Sequence, residues 1–282
     1  MTTGAKEKEL NVYLSVDMEG ITGIVDRDQV TRGEIGYQRA CSLMTKETNA
    51  AVQGAIDGGA TYVLVNDSHG SMRNILIEDL HPEAHLITGQ PKTYSMMEGI
   101  DDTFHAAAFI GYHARPGTIG GILDHTYSSL SVFSIKINGI DMPELGLNAW
   151  LAGHFNVPVV FVSGEKTACD QTAELLGDTV VTAAVMEGVA RSAAKAMPLE
   201  KAHTLIREKI KEGLQRRDGI KPYILKKPYE FEMTFLKSSM AENPALVPGV
   251  ERIDGRTVRF TTKSVPEGYK LMRALIVLAG TG

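Results

Sequence analysis

The stretch Asn11-Val-Tyr-Leu-Ser-Val16, followed at once by Asp17-Met-Glu19-Gly20, decides how the rest of the chain is read. Its first half is short and rich in β-branched and aromatic side chains, the composition of a strand. Its second half sets two carboxylates and a glycine at that strand's carboxyl end. The arrangement recurs downstream. Thr61-Tyr-Val-Leu-Val65 runs into Asn66-Asp67-Ser68-His69-Gly70, and the apolar run from Ala106 to Ile110 leads into Gly111-Tyr112-His113. A further apolar run, Val157-Pro-Val-Val-Phe-Val162, ends in Ser163-Gly164. Continuous apolar runs of this kind suit strands of a parallel sheet buried on both faces.

Helical spacing fills the intervals. Between Gly36 and Gly58 the apolar positions Ala40, Leu43, Met44, Ala51, Ala55 and Ile56 share a face, and Gly58-Gly59 ends the segment. Met142 to His154 and Thr167 to Leu176 read the same way. Strands alternating with helices predict an α/β fold with a mostly parallel sheet flanked by helices. Met186 to Arg217 reads as one long helical stretch interrupted at Pro198. Beyond Pro222 the texture changes. Tyr229-Glu-Phe-Glu-Met-Thr-Phe235 and Thr257-Val-Arg-Phe-Thr-Thr262 alternate polar with apolar residues, as in an antiparallel sheet with one wet face. Ser264 to Val277 reads as a final helix, with Ser264 as N-cap and Pro266 in the first turn. The pattern predicts an α/β domain over residues 1–190 and a smaller α+β domain over 191–282. Ser131-Val-Phe-Ser-Ile-Lys-Ile137 alternates too, so the segment 115–145 is open to membership of the second domain.

Of 282 residues, 43% are hydrophobic and 22% charged, an ordinary globular composition. The net charge of −5 and the lack of a basic stripe argue against a nucleic-acid partner. The basic run Arg216, Arg217, Lys221, Lys226, Lys227 is broken by prolines and apolar residues and reads as solvated surface. Cys41 and Cys169 form no zinc-finger spacing and read as buried small hydrophobes in a reducing compartment. The opening MTTGAKEKELN has no apolar stretch behind its positive charge, which predicts no secretory leader. No window offers the ~20 apolar residues of a membrane span. The expected location is the cytoplasm, with no membrane partner.

In open α/β sheets, ligands bind outside the carboxyl ends of the strands. Asp17 and Glu19 are two residues apart, so an extended chain points both to one face. Crowded carboxylates repel and raise each other's pKa, and a divalent cation removes that penalty. His69 and His113 add nitrogen donors, which favour zinc or another transition metal over magnesium or calcium. Taken singly, each residue has a plainer reading. Asp67 and Ser68 suit a turn or an N-cap, and a loop histidine is commonly solvated. On pattern alone the metal site stays open. Glu144, in Pro143-Glu144-Leu-Gly-Leu-Asn148-Ala149, reads by itself as a first-turn acid complementing the helix dipole. The glycine-rich Arg115 to His125 lacks phosphate-binding spacings and suits a mobile or tightly turning segment that presents His125.

Ser15-Val-Asp17-Met-Glu19-Gly20 is similar to the Ser-x-Asp-x-Glu-Gly signature of the bacterial D-aminopeptidases of dipeptide-transport-operon type. Val65 to His69, Leu80-His-Pro-Glu-Ala84, Met96 to Phe104, Gly111-Tyr-His113-Ala-Arg115 and Glu144 to Ala149 resemble that family in the same order. The resemblance is close over most of residues 11–190 and looser in the C-terminal third. It implies a two-zinc site with Asp17, Glu19, His69, His113 and Glu144 as ligands, which overrides the dipole reading of Glu144. Five ligands cannot fill two tetrahedral shells separately, so at least one carboxylate would bridge and open positions would remain, the catalytic pattern. His125 falls on the family's catalytic histidine, described there as a nucleophile. A proton shuttle or oxyanion donor is the favoured alternative, because imidazole titrates near operating pH; the sequence does not separate the two. Asp67 is a candidate for orienting a ligating histidine. The implied activity is removal of the N-terminal residue from short peptides, D-alanyl peptides in particular, within a ring-shaped homodecamer whose sites face an inner chamber. Two rival classes are another binuclear metallohydrolase (an amidase or phosphoesterase) and a non-enzymatic peptide-binding or transport-associated protein. A phosphoesterase would show added basic residues, of which Arg115 is the sole candidate near the motifs. The transport class would need an export signal.

Overall fold

The computed structural model describes residues 9–282; most of the stretch read above as lacking a leader, residues 1–8, lies outside them. In chain order the first half carries β1 (Asn11–Val16), the short helix α1 (Arg27–Val30), α2 (Tyr37–Asp57), β2 (Tyr62–Asp67), β3 (Ala84–Ile87) and β4 (Ala106–Tyr112). Then come β5 (Val132–Ile137), β6 (Ile140–Asp141), α3 (Glu144–His154), β7 (Val159–Glu165), α4 (Lys166–Leu176), β8 (Val181–Ala190) and β9 (Ala193–Ala196). The chain ends with α5 (Leu199–Arg216), β10 (Tyr229–Phe235), β11 (Glu251–Arg252), β12 (Thr257–Thr262) and α6 (Val265–Ala279).

A seven-stranded sheet has the order β3-β2-β1-β4-β7-β8-β9, parallel except for the β8–β9 pair. β4 and β7 are buried along their whole length, as expected of strands covered on both faces. Helices α2 and α5 pack together as one cover, and α3 packs with α4. The helical reading of Met186 to Arg217 is corrected: Met186–Ala190 completes β8, Ala193–Ala196 returns as β9, and the helix begins only after Pro198. Alanine favours helix in isolation, but here pairing at the sheet edge, Met186 opposite Ala196, overrides that preference.

A second sheet, β11-β12-β10-β5-β6, is antiparallel and joins the mid-chain strands to the C-terminal ones. Tyr229, Phe231, Met233 and Phe235 alternate inward along β10, and Phe231 stacks on Phe260 with ring centroids 4.5 Å apart. Trp150 of α3 meets Tyr229 and Phe231 edge-on at 5.0 and 5.6 Å. Helix α6 packs on the same sheet and on α3, its N-terminus capped by Ser264 Oγ accepting from the Glu267 amide. Helix α3 is thereby held between the parallel sheet on one side and the antiparallel sheet with α6 on the other. Cys41 and Cys169 are both buried and unpaired. Among the described residues no helix is long and apolar enough to cross a membrane.

One buried charge in this scaffold stands apart from the strand ends. Glu47, on α2, is fully buried and accepts hydrogen bonds from the Thr22 amide at 3.1 Å and hydroxyl at 2.8 Å. Burial pushes its pKa up to about 7, against the lowering effect of Thr22. A carboxyl raised in the folded state contributes stability that is present below its ordinary value and lost as pH rises through the folded value. Glu47→Gln is therefore expected to gain on the wild type by about 3 kcal/mol between about pH 4 and about pH 8. Urea unfolding across that range reads it, and parallel profiles for the two proteins would refute it.

Candidate metal centre

The parallel registers bring the candidate residues together. β1 lies between β2 and β4, with Val16 opposite Asp67 on one side and Ile110 on the other. The chain steps from β1 to β2 on one flank and later to β4 on the opposite flank, a reversal that opens a crevice at the carboxyl ends. Asp17 and His113 follow β1 and β4 directly, and His69 stands two residues past the end of β2. Glu144 enters from the first turn of α3, and His125 from the loop after β4.

Two backbone contacts fix the strand ends. The Asp17 amide donates to Ile110 O at 2.8 Å, and the Gly20 amide to Gly111 O at 2.8 Å. A side chain at Gly20 would place its Cβ 2.1 Å from Tyr112 O, and Gly111, at φ +70°, would meet Asp17 O. The glycine that closes the Asp17-Met-Glu19 motif is thus a contact requirement. Ser15, just before the motif, ties the same three strands. Its hydroxyl lies 2.8 Å from Ser68 Oγ and 2.7 Å from the Tyr112 hydroxyl, and donates to Met96 O at 2.8 Å.

Each of the three histidines spends one ring nitrogen on a backbone carbonyl and turns the other toward the carboxylates. His69 Nε2 reaches Val30 O at 2.8 Å, while Nδ1 lies 2.9 Å from Glu19 Oε2 and 3.4 Å from Asp17 Oδ1. His113 Nδ1 reaches Ala114 O at 3.0 Å, leaving Nε2 at 3.3 Å from Asp17 Oδ2 and 3.6 Å from Glu144 Oε2. His125 Nδ1 reaches Leu123 O at 2.9 Å, and its Nε2 faces Glu144 Oε1 at 3.6 Å and Glu19 Oε1 at 3.9 Å. The rings of His113 and His125 stack 4.1 Å apart. Anchoring one imidazole nitrogen to a carbonyl fixes the ring's tautomer and aim, the habit of metal-ligating histidines.

The electrostatics follow from burial. Burial pushes the imidazoles of His69 and His113 down, but Glu19 and Asp17 beside the first, and Glu144 and Asp17 beside the second, hold both well above the usual histidine range. Conversely, burial opposes ionisation of Asp17 and Glu144, yet the neighbouring imidazoles hold both carboxyls below their ordinary range. Asp17 Oδ2 and His113 Nε2 are buried without a hydrogen-bond partner among the described residues, although they are 3.3 Å apart. Ligand atoms of Asp17, Glu19 and His113 lie within 4.8 Å of one another, as do those of His113, His125 and Glu144. Two orphaned buried atoms, one oxygen and one nitrogen, set among further carboxylates and imidazoles fit a cation of the zinc type.

The remaining sequence candidates sit as follows. Asp67 Oδ2 accepts from the Asn74 and Ile75 amides at 2.5 and 2.8 Å, and its Oδ1 accepts from Asn74 Nδ2 at 2.7 Å; among the described residues no imidazole nitrogen contacts it. Asn74 Nδ2 also reaches His69 O at 2.7 Å, so Asp67 braces the His69 turn at one remove. Arg115 lines a separate cavity and lies 3.8 Å from Glu174. The loop presenting His125 is firmly tied: Ala114 and Arg115 amides donate to Glu165 and Gln171, and Asp124 accepts from the Gly117 amide and from Arg191. Leu123 and Tyr127 on either side of His125 adopt φ of +49° and +59°, a left-handed conformation costly for such side chains.

Three residues that sequence reasoning left aside complete the site. The Tyr127 amide donates to Glu144 Oε1 at 2.5 Å, and its hydroxyl to Asn148 Oδ1 at 3.0 Å. Asn148 also accepts from the Tyr269 hydroxyl at 2.7 Å and donates to the Tyr112 hydroxyl at 2.8 Å. The carboxylates open into a cavity of about 420 Å³ also lined by Arg27, Arg32, Tyr127 and Arg273. Only the position of Asn148 four residues after Glu144, on one helix face, gave a hint in the sequence.

A family model described as D-aminopeptidase matches residues 10–274. A D-aminopeptidase of Bacillus subtilis (strain 168) is 41% identical over 274 residues, 96% of this chain and 98% of that protein. A solved structure, the Zn-dependent D-aminopeptidase DppA from Bacillus subtilis, a self-compartmentalizing protease, superposes with a TM-score of 0.94 at 41% identity, over 97% of this chain and 99% of that one.

Because the Gly20 contact holds the carboxylate turn against the β4 end, Gly20→Ala must force the two strand ends apart. It is expected to lower unfolding free energy by about 1–3 kcal/mol, the usual cost of overpacking, and to lower metal content with it. Urea unfolding and elemental analysis measure the pair; a Gly20→Ala protein matching the wild type in both would show that the clamp is dispensable.

Proposed function

This chain belongs to the D-aminopeptidase family, and on that premise we propose that it is a zinc-dependent enzyme removing N-terminal D-residues, D-alanine foremost, from short peptides. The observation that carries the reading is the cluster itself: imidazoles anchored on backbone carbonyls, their free nitrogens turned to three buried carboxylates. Asp17, Glu19, His69, His113 and Glu144 would hold two zinc ions; ligand atoms of Asp17, Glu19 and His113 lie within 4.8 Å of one another, His69 Nδ1 lies 2.9 Å from Glu19, and His113 also groups with Glu144 and His125. Bound there, zinc supplies Lewis acidity toward a peptide carbonyl and draws the pKa of a coordinated water toward neutrality.

The chain's own residues supply the rest. Leu123 O holds the Nδ1 proton of His125, so Nε2 is the nitrogen that faces Glu19 and Glu144. From that position it can take a proton from an attacking water and return it to the departing amine. Direct attack by His125 is the competing role. The Tyr127 amide orients Glu144 through Oε1 and leaves Oε2 turned to His113. The buried Ser15, Tyr112 and Asn148 groups close the cluster's underside with matched hydrogen bonds.

His69→Ala and His113→Ala are expected to lose metal and D-alanyl-D-alanine hydrolysis together, while His125→Ala keeps metal and fold and loses about 10²–10⁴-fold in turnover. Elemental analysis and release of D-alanine measure both. Two tightly bound ions with full activity in either ligand variant would overturn the ligand assignment, and a trapped acyl-histidine would replace the shuttle with a nucleophile.

The proposal extends to assembly and location: a ring-shaped homodecamer in the cytoplasm, with sites facing an inner chamber that admits only small peptides. Its support is the self-compartmentalizing character of the Bacillus subtilis relative and the exposure of large apolar side chains such as Ile35 at 95% and Ile119 at 97%. Closed symmetric assemblies are the rule for soluble oligomers. Light scattering is expected to show a large particle whose activity falls steeply beyond tetrapeptides. A fully active 30.6 kDa monomer would remove the enclosure and leave the zinc chemistry intact.

A further inference from the structure

The catalytic cavity carries both signs of charge on its wall. Besides Asp17, Glu19 and Glu144 it is lined by three guanidinium groups, those of Arg27, Arg32 and Arg273. Among the described residues none of these three is paired with a carboxylate, whereas Arg191, Arg207 and Arg259 each are. An unpaired guanidinium on a cavity wall is a fork of donors without an acceptor, and its planar geometry matches a carboxylate in two-point contact.

Arg273 differs from the other two. Arg27 and Arg32 are exposed, on a four-residue helix and the turn beyond it. Arg273 is half-buried on α6, with its guanidinium over the Tyr127 ring, 4.9 Å from the centroid. The same Tyr127 donates its amide to Glu144 and its hydroxyl to Asn148. One residue therefore registers the cation to the carboxylate cluster, and stacking limits the orientations that the guanidinium can take.

A short peptide carries both signs of charge as well. It carries an ammonium at one end and a carboxylate at the other, and an extended dipeptide spans only about 7 Å. The cavity, at about 420 Å³, is of the size that takes small ligands. We propose that Arg273 receives the C-terminal carboxylate of the peptide substrate, so that the site reads both ends of a short peptide at once. This rests on the aminopeptidase reading and narrows its substrate class to peptides with a free carboxylate close to the scissile bond.

The test compares D-alanyl-D-alanine with D-alanyl-D-alaninamide, which differ only in that carboxylate. The zinc-loaded wild type is expected to prefer the acid by about 10- to 100-fold in kcat/KM, the range of a charged hydrogen-bonded contact. Arg273→Met should collapse that ratio toward one, with the loss in KM, and Arg273→Lys should restore part of it through charge alone. Calorimetry in a His125→Ala background reads binding without turnover, and Arg273→Met should there weaken the acid selectively. Hydrolysis of both dipeptides with a ratio that Arg273→Met leaves unchanged would overturn the role of Arg273 and leave the aminopeptidase standing. Hydrolysis of neither by the wild type would overturn the aminopeptidase reading and this one with it.

Discussion

Three buried carboxylates that would repel one another share one cavity, and the fold is arranged around holding them there. Asp17, Glu19 and Glu144 are all nearly inaccessible to solvent, where water cannot screen their charge. Left to themselves they would protonate or splay apart. Each is instead fixed by something stiff. Asp17 and Glu19 hang from the end of a central strand whose turn is pressed against β4 with no room for a side chain. Glu144 sits at the start of a helix confined between two sheets, with Trp150 wedged against Tyr229 and Phe231 on its far side. The imidazoles that face them are tethered in turn to Val30, Ala114 and Leu123 carbonyls.

How much of this was legible in the sequence depends on whether the signal was local. The strand ends were legible, because apolar runs that each terminate in an acid or a histidine can be recognised one at a time. Their convergence could be argued from parallel topology alone. Glu144 was not legible by pattern, since an acid in a first helical turn has an ordinary explanation in the helix dipole; family resemblance was needed to single it out. The presentation of His125 depends on left-handed backbone at Leu123 and Tyr127, side chains that carry no turn signal. The end of β8 and the edge strand β9 read as helix in the sequence for a related reason. Alanines in 190–196 have a helical preference that only the pairing partner overrules.

The polar layer beneath the cluster was invisible because its members are far apart in the chain. Ser15, Ser68, Tyr112, Asn148, Tyr127 and Tyr269 come from six elements or loops, and each has a routine reading alone. Together they satisfy one another: Asn148 accepts two tyrosine hydroxyls and donates to a third. A buried network of this kind is stable only when complete, which couples the strand ends to α6. The serine that opens the Ser-x-Asp-x-Glu-Gly motif belongs to this layer. Its hydroxyl binds neighbouring strand ends together, which gives a structural reason for a serine at the head of the motif.

This coupling ties the C-terminal part of the chain to the carboxylate cluster. Helix α6 packs on the antiparallel sheet and on α3, so it is placed by contacts remote from the strand ends. Yet Tyr269 closes the network under Glu144, and Arg273, one helical turn further on, reaches the cavity over Tyr127. One helix thus meets both the base of the site and its wall. A displacement of α6 would move a cation and loosen the residue that aims Glu144 in the same motion. The antiparallel sheet, which among the described residues contributes no side chain to the carboxylate and imidazole cluster, sets one wall of the cavity through the helix it supports.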